Sequence, residues 1–347
     1  MKIETIIANT PSLEISNEWI IEEIEKQNPD SPKNIIKIYQ RQVLTLLKKS
    51  GSKTRVWRDR QKGEVAFDLI KKSIKEALKK SDLKQKDIDL LIYCGVGKGF
   101  KEPANAYMYA RALNMNAQCF DISDACMSWV RSLEIAYRFI KSGHYKHVMI
   151  INGEFNVYEH LYPYLWKIKN LKQIEYTLPA YTIGEAATAT IVSPSEQVWT
   201  FDYVSAPELS NLCSIPIEGF EGFIEKDDKI NLHGINRFVS FGADLFSNGK
   251  KILTNLTKEV IKDIDSFDIW FPHAASETLW LEMGQELGIL PEKNYTKVYP
   301  NFGNLVSASI PVGIDLAEKE NKIKRGDSVV LWPGSAGMSF CIAQFTY

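Results

Sequence analysis

Excess charge of one sign is missing from this sequence. Its 42 lysines and arginines stand against 43 aspartates and glutamates, a formal net charge of −1, so no global field draws the chain to nucleic acid or to an anionic membrane. The local basic runs, Lys48-Lys49 to Lys53 and Lys79-Lys80, read as solvated helix faces or as a greeting point for a phosphate-bearing carrier. Long apolar runs are missing too. Nowhere do about eighteen apolar residues follow one another, which argues against a membrane-spanning helix, and Met1-Lys-Ile-Glu-Thr-Ile-Ile lacks the apolar stretch and cleavage site of a signal peptide. The histidines His144, His147, His160, His233 and His273 are scattered without the spacing of metal ligands, so no metal site is expected. The five cysteines form no C-x-x-C pair, and three of them lie in apolar strand-like runs, as reduced buried thiols do. The expected location is cytosolic.

What remains is an ordinary globular composition, 45% hydrophobic and 24% charged over 347 residues, enough for one large domain or two fused halves around a substantial core. Within it, Cys126 stands out. In Asp121-Ile-Ser-Asp-Ala-Cys126-Met-Ser-Trp129 a strand-like run gives way to the helical spacing Val130, Leu133, Ala136, Phe139. A thiol at that junction faces backbone N–H groups and the positive end of a helix dipole, which favour thiolate over thiol. The same N–H groups can cradle an oxyanion. Two further polar residues sit in apolar settings downstream: His273, closing Phe267-Asp-Ile-Trp-Phe-Pro-His273, and Asn304, in Asn301-Phe-Gly-Asn304-Leu-Val-Ser. Cys, His and Asn together suggest acyl transfer.

An internal echo supports the grouping. Residues 66–94 read as an amphipathic helix followed by the strand Ile88–Cys94, and residues 245–273 repeat that order. Leu133 to Gly143 leads into His147–Ile151, as Leu316 to Gly326 leads into Ser328–Trp332. Two similar α/β halves are implied, 1–195 and 196–347, with the boundary between 192 and 200. Cys126 and Asn304 then occupy equivalent helix starts, and His273 ends a strand as Cys94 does. Packing about a pseudo-twofold axis would bring them together where α/β proteins bind ligands. The aromatic segment 154–181, with Phe155, Tyr158, Tyr162, Tyr164, Trp166, Tyr176 and Tyr181, either lines an apolar tunnel or forms a subunit contact. Residues 27–35 read as a loop between N-terminal helices.

Phe120-Asp-Ile-Ser-Asp-Ala-Cys126 followed by Ile140-Lys-Ser-Gly143 resembles the nucleophile segment of the β-ketoacyl-acyl carrier protein synthase III group of the thiolase superfamily. Phe271-Pro-His273-Ala, then Gly303-Asn304 with Ser307-Ala-Ser-Ile-Pro311, and Gly334-Ser-Ala-Gly337 resemble its later blocks, in order. The resemblance implies a five-layered αβαβα thiolase fold, a homodimer, and acyl-coenzyme A or acyl carrier protein thioesters as substrates with no bound cofactor. It also implies roles: Cys126 as nucleophile, backbone N–H groups of Cys126 and Ala336 as oxyanion hole, and His273 and Asn304 as donors to the enolate of the second substrate. Lys101-Glu102-Pro103 departs from the common pattern. It resembles the chain-joining branch, the olefin-pathway thiolases and α-pyrone-forming ketosynthases, in which the carboxylate reaches the partner subunit's site and removes a proton from an α-carbon. Ser50-Gly51-Ser-Lys-Thr-Arg55 resembles the family's Gly-Ile-x-x-Arg segment, but the Trp and Arg that clamp coenzyme A are not evident, which favours a longer acyl group, carried on a protein, over acetyl priming.

Each residue also has a plainer reading. Cys126 alone could be a buried structural thiol, His273 a satisfied core histidine, Asn304 a turn residue, and Glu102 an acid stabilised at a helix start. Gly95-Val-Gly-Lys-Gly99 lacks the spacing of a phosphate-binding loop. Three function classes are open: a carbon–carbon-forming ketosynthase in lipid or secondary-metabolite synthesis, an acyltransferase to an alcohol or amine, and a non-catalytic partner of another ketosynthase. The first is expected.

Overall fold

The computed structural model describes residues 1–232 and 234–347, with the side chains of residues 159, 160, 163 and 164 left undescribed. His233 and the side chains of His160 and Tyr164 therefore lie outside the described part of the chain. The first seven strands are β1 (Lys2–Asn9), β2 (Leu13–Ser16), β3 (Thr54–Trp57), β4 (Leu90–Cys94), β5 (Gln118–Ile122), β6 (Val148–Glu154) and β7 (Ala186–Ser193). Five of them form a sheet in the order β1-β7-β6-β4-β5, with β4 parallel to β5 and β6, and β7 antiparallel to β6 and β1. β2 and β3 pair separately.

Seven more strands complete the chain: β8 (Thr200–Ser205), β9 (Cys213–Ser214), β10 (Val239–Ser240), β11 (Ile269–Pro272), β12 (Ser328–Trp332), β13 (Gly334–Ser335) and β14 (Ser339–Thr346). In the second sheet β11 runs parallel to β12, and β14 is antiparallel to β12, to β8 and to β13. The order and sense of β4, β6, β7 and β1 are thus repeated by β11, β12, β14 and β8. This is the echo read from the sequence, now seen as topology. β11 is shorter than the run 267–273 suggested. Just before it, Asp268 donates its N–H to the Ser328 carbonyl at 2.9 Å, while its carboxylate accepts the Ser328 N–H at 2.8 Å in place of a backbone acceptor.

Period-two burial builds the layers. Leu90 and Ile92 of β4 point to the same interior as Val148 and Ile150, and there they meet the helices Ser128–Lys141 and Ser309–Lys319, whose Trp129, Leu133, Ala136, Ile310, Ile314 and Ala317 are buried. Ile269, Phe271, Val329 and Leu331 of the second sheet close this layer from the other side. The alternate residues Leu91, Tyr93, Met149 and Ile151 face outward onto the helix Ala66–Ser81. Trp270, Val330 and Trp332 likewise face the helices Gly242–Val260 and Glu277–Leu287. The result is helix, sheet, helix pair, sheet, helix.

The N-terminal helices Asn17–Lys26 and Lys33–Lys49, joined by residues 27–32, pack on the aromatic segment. Trp166 meets Trp19 edge-on at 5.8 Å, and Tyr158 and Tyr162 meet Trp57 at 6.1 and 6.3 Å. With Phe155, Trp166 and Tyr181 buried, these rings form core within one chain, a use that neither sequence expectation covered. Periodicity cannot reveal it, because the rings come from an irregular segment. Among the described residues no helix is long and apolar enough to cross a membrane.

Candidate active site

β5 stops at Ile122, and the chain must turn sharply to start the helix at Ser128. It does so through a 3₁₀ turn, Ala125–Met127, entered by Ala125 at φ +42, a left-handed conformation that costs a non-glycine residue about 1 kcal/mol or more. The turn is held from both sides. Ser128 Oγ accepts the Asp124 N–H and donates to the Ala125 carbonyl, both at 2.8 Å. From far downstream, Ser335 Oγ donates to the Asp124 carbonyl and accepts the Met127 N–H, each at 3.2 Å. Cys126 is thereby projected inward, with the backbone N–H groups of Ala336 and of Cys126 itself on its thiol.

The thiol is half-buried, and its surroundings oppose the expected thiolate preference. Burial pushes the Cys126 thiol well above its ordinary value, Cys213 and Glu154 face it and push the same way, and the two backbone N–H groups only partly oppose this. The sequence reading counted the helix start and not the enclosure. Desolvation outweighs two amides when no cation stands nearby.

His273 follows β11 directly and is 5% exposed. Burial pushes its imidazole down to about 4, against a weaker opposite influence from the Val306 backbone, so the ring is neutral at physiological pH. Asn304 is fixed by its own backbone. Its N–H donates to the Thr182 carbonyl at 2.8 Å, and its carbonyl accepts the Gly184 N–H at 3.0 Å. Its Oδ1 accepts the Val306 N–H at 2.9 Å, which leaves the amide NH₂ as the outward donor. Val306, at φ +50, therefore touches both polar residues.

Gly303 and Gly184 make this approach possible. Gly303 adopts φ +78, ψ −165, a region essentially limited to glycine, and a Cβ on either glycine would overlap a backbone carbonyl, that of Thr182 or of Phe302. Gly303→Ala is expected to destabilise the chain by about 2–3 kcal/mol, read as a lower urea midpoint; an unchanged midpoint would show that the turn can relax.

Arg55 does not face a ligand. It lies fully buried beneath the turn, donating to the Ile15 carbonyl at 3.1 Å, Asn17 Oδ1 at 2.7 Å and Ser52 Oγ at 2.9 Å. Burial lowers its guanidinium to about 10. Nearby, Glu185 receives Arg58 through Nε at 3.1 Å and a terminal nitrogen at 2.9 Å, a buried pair that pins the end of β3 to the start of β7. Glu102 stands apart, exposed in the loop between β4 and the helix Ala106–Ala112, and it does not join Cys126, His273 and Asn304 within one chain. Beside His273 is a small hollow of about 10 Å³ lined by Pro272, Ser276, Trp280, Tyr295 and Tyr299. Among the described residues no cluster of His, Cys, Asp or Glu is placed to hold a metal ion.

The sequence reading missed Glu154, Ser307 and Cys213. For Glu154 a signal existed: a carboxylate ends a largely apolar strand, Val148-Met-Ile-Ile-Asn-Gly-Glu154, at the carboxyl end where α/β sites form.

The model of the 3-oxoacyl-[acyl-carrier-protein] synthase III family matches residues 120–162, and that of its C-terminal region matches residues 260–347. The chain is 28% identical over 318 residues to the β-ketoacyl-[acyl-carrier-protein] synthase III of Aliarcobacter butzleri, covering 87% of this chain and 89% of that one. It is 26% identical over 288 residues to the synthase of Clostridioides difficile, covering 81% and 83%. Among solved structures, Xanthomonas campestris OleA, in a variant crystallised with lauric acid and lauroyl-CoA, superposes with a TM-score of 0.81 at 19% identity over 99% of this chain and 98% of that one. The 3-oxoacyl-[acyl-carrier-protein] synthase III of Aquifex aeolicus gives 0.79 at 21% identity over 100% and 99%. These superpositions establish the fold.

Proposed function

We propose that this chain, similar along most of its length to β-ketoacyl-[acyl-carrier-protein] synthase III enzymes, is a synthase III-like member of the thiolase superfamily that joins two acyl or β-ketoacyl thioesters by Claisen condensation. The observation that carries this reading is the convergence of backbone N–H groups from Cys126 and the distant Ala336 on one enclosed thiol. Cys126 attacks the carbonyl of an acyl thioester, its carbonyl oxygen held by those two N–H groups, and the donor thiol leaves with a proton. The second thioester then becomes a carbon nucleophile, by loss of CO₂ or by transfer of its α-proton. The neutral His273 ring and the Asn304 amide donate to its carbonyl oxygen as enolate charge develops. The new carbon–carbon bond forms at the acyl carbon as the carbon–sulfur bond to Cys126 breaks, releasing the free enzyme and a longer β-ketoacyl product. No resident cofactor is required, because the thioester supplies both the leaving group and the α-carbon acidity.

The substrates in this reading ride on coenzyme A or on an acyl carrier protein. The two thiolase halves are 1–195 and 196–347, the active form is a homodimer, and the location is cytosolic. Glu102 acts across the dimer as the α-carbon base of the partner's site, consistent with its exposure in the single chain. The competing acyltransferase reading has no use for paired donors at the second substrate, and retention of both His273 and Asn304 favours condensation. Glu102→Gln is expected to leave acyl loading of Cys126 intact and to slow condensation about 100-fold or more. Loading followed by mass spectrometry and product followed by chromatography separate the two steps. Unchanged product formation would remove Glu102 from the mechanism.

A further inference from the structure

Glu154, the last residue of β6, is fully buried. Its Oε1 accepts from the Ser307 hydroxyl and from the Ser307 N–H at 3.3 Å. Its Oε2 accepts from the Val96 N–H and from Asn156 Nδ2, both at 3.3 Å, and the Gly97 N–H also faces it. These donors belong to two different pieces of the site. Ser307 directly follows Val306, the residue that fixes Asn304 Oδ1 and touches His273. Val96 and Gly97 begin the loop that carries Glu102, whose far end is anchored where Asn105 donates to Asp121 Oδ2 through its N–H at 2.7 Å and its side chain at 2.8 Å. That loop lies tightly on the carboxylate. A Cβ on Gly95 would come within 2.9 Å of Glu154 Oε1, and one on Gly97 within 2.7 Å of the Gly153 carbonyl.

We propose that Glu154 is a positioning residue whose ionised carboxylate ties the Asn304–Ser307 turn and the root of the Glu102 loop into one unit, so that a single group sets the geometry for activating the second substrate. The inference rests on the ketosynthase reading of this site. An ionised carboxylate can accept from all of these donors at once. A protonated one presents its own O–H to a ring of N–H groups and loosens the tie. The ionisable groups that face it are Tyr93 and Cys94 of β4 and Cys126, none of them a cation. Burial against only these hydrogen bonds brings the carboxyl up to about 7, so the tie forms and loosens within ordinary pH. Below about 7 the carboxyl is protonated and the unit is loose; above it the unit is set. Stability runs the other way. The folded value exceeds the ordinary 4.5, so the native state holds the extra proton and loses stability as pH rises through 7.

The test uses the full-length protein in two arms. In the first, Cys126 is preloaded with a medium-chain acyl group and condensation with a β-ketoacyl thioester is followed from pH 5.5 to 8.5. Wild type should accelerate through a transition near pH 7. Glu154→Gln should be about tenfold to a hundredfold slower with no such transition, while its acyl loading is no slower, since removing a negative charge that faces Cys126 cannot hinder thiolate formation. The second arm needs no substrate. Hydrogen–deuterium exchange, corrected for intrinsic rates, should show residues 95–105 and 304–309 gaining protection together between pH 6 and 8 in wild type and not in Glu154→Gln. Ser307→Ala should release 304–309 alone, and it carries the test if Glu154→Gln does not fold. Identical exchange and pH profiles in wild type and variant would overturn the proposal. A wild type that never takes an acyl group on Cys126 would overturn the ketosynthase reading instead, and the exchange arm would still decide whether Glu154 makes the tie.

Discussion

Cys126→Ala should lose acyl transfer and condensation together, by at least about a thousandfold, because both steps pass through one carbon–sulfur bond and nothing else in the site can form it. The measurement is intact-protein mass spectrometry. Wild type mixed with medium-chain acyl-coenzyme A or acyl-carrier thioesters should gain one acyl mass, which disappears on addition of a β-ketoacyl thioester as a longer product forms. The alanine variant should gain nothing. His273→Ala and Asn304→Ala should keep the adduct and lose its onward transfer, each by about 10²–10³, because the proposed mechanism has them donate to the second substrate and not to the oxyanion of the first. The loading rate carries a further signature. The thiol is held well above its ordinary value by burial, so the thiolate fraction, and with it the loading rate, should rise about tenfold per pH unit between 6 and 9 without levelling. An adduct on the alanine variant would remove Cys126 from the role assigned to it, and a plateau below pH 8 would show that burial does not hold its thiol up.

The second large effect is on stability. Arg58 and Glu185 are buried, with side-chain exposures of 7% and 0%. Two arginine nitrogens and the Arg58 N–H all reach the same carboxylate, which also accepts the Val157 N–H at 3.3 Å. Glu185→Ala removes the shared acceptor of these buried donors, the Arg58 and Val157 backbone N–H groups among them, and should cost about 3 kcal/mol or more. The guanidinium also lies 5.1 Å from the Phe155 ring centre, so an apolar replacement of both partners has a ring to pack on. Arg58→Met combined with Glu185→Leu should recover part of the loss. Urea unfolding of the single and double variants measures both. A loss below about 1 kcal/mol for Glu185→Ala would mean that water reaches the pair, as it does for surface ion pairs.

Much of this site was readable before any coordinates. The order helix, strand, helix, strand appears twice in the sequence because each half must bury a sheet between helices, and that requirement writes period-two and period-3.6 patterns that survive divergence between the halves. Cys126 and Asn304 were found because they interrupt those patterns at equivalent places. What escaped lies between the halves. Glu154 and Ser307 meet across 153 residues, and no local spacing announces such a bond. The proton affinity of Cys126 escaped for a related reason: the helix start is local and visible, whereas the enclosure is made by β9, β13 and the end of β6, which sequence order keeps far apart. Glu102 is an incomplete case by nature, since its proposed target belongs to a second chain.

The clamp on the Cys126 turn has a consequence in time. Ser335 and Ala336, which complete that turn and face its thiol, are more than 200 residues downstream; the Met127–Ser335 bond spans 208. During synthesis the cysteine therefore leaves the ribosome long before its partners do. Through that interval Ala125, at φ +42, has only the Ser128 side of its clamp, and the thiol is an ordinary one on an unfinished chain. The Ala336 N–H joins the thiol only when the C-terminal strands have docked, so acylation of Cys126, in the role proposed for it, should report that docking.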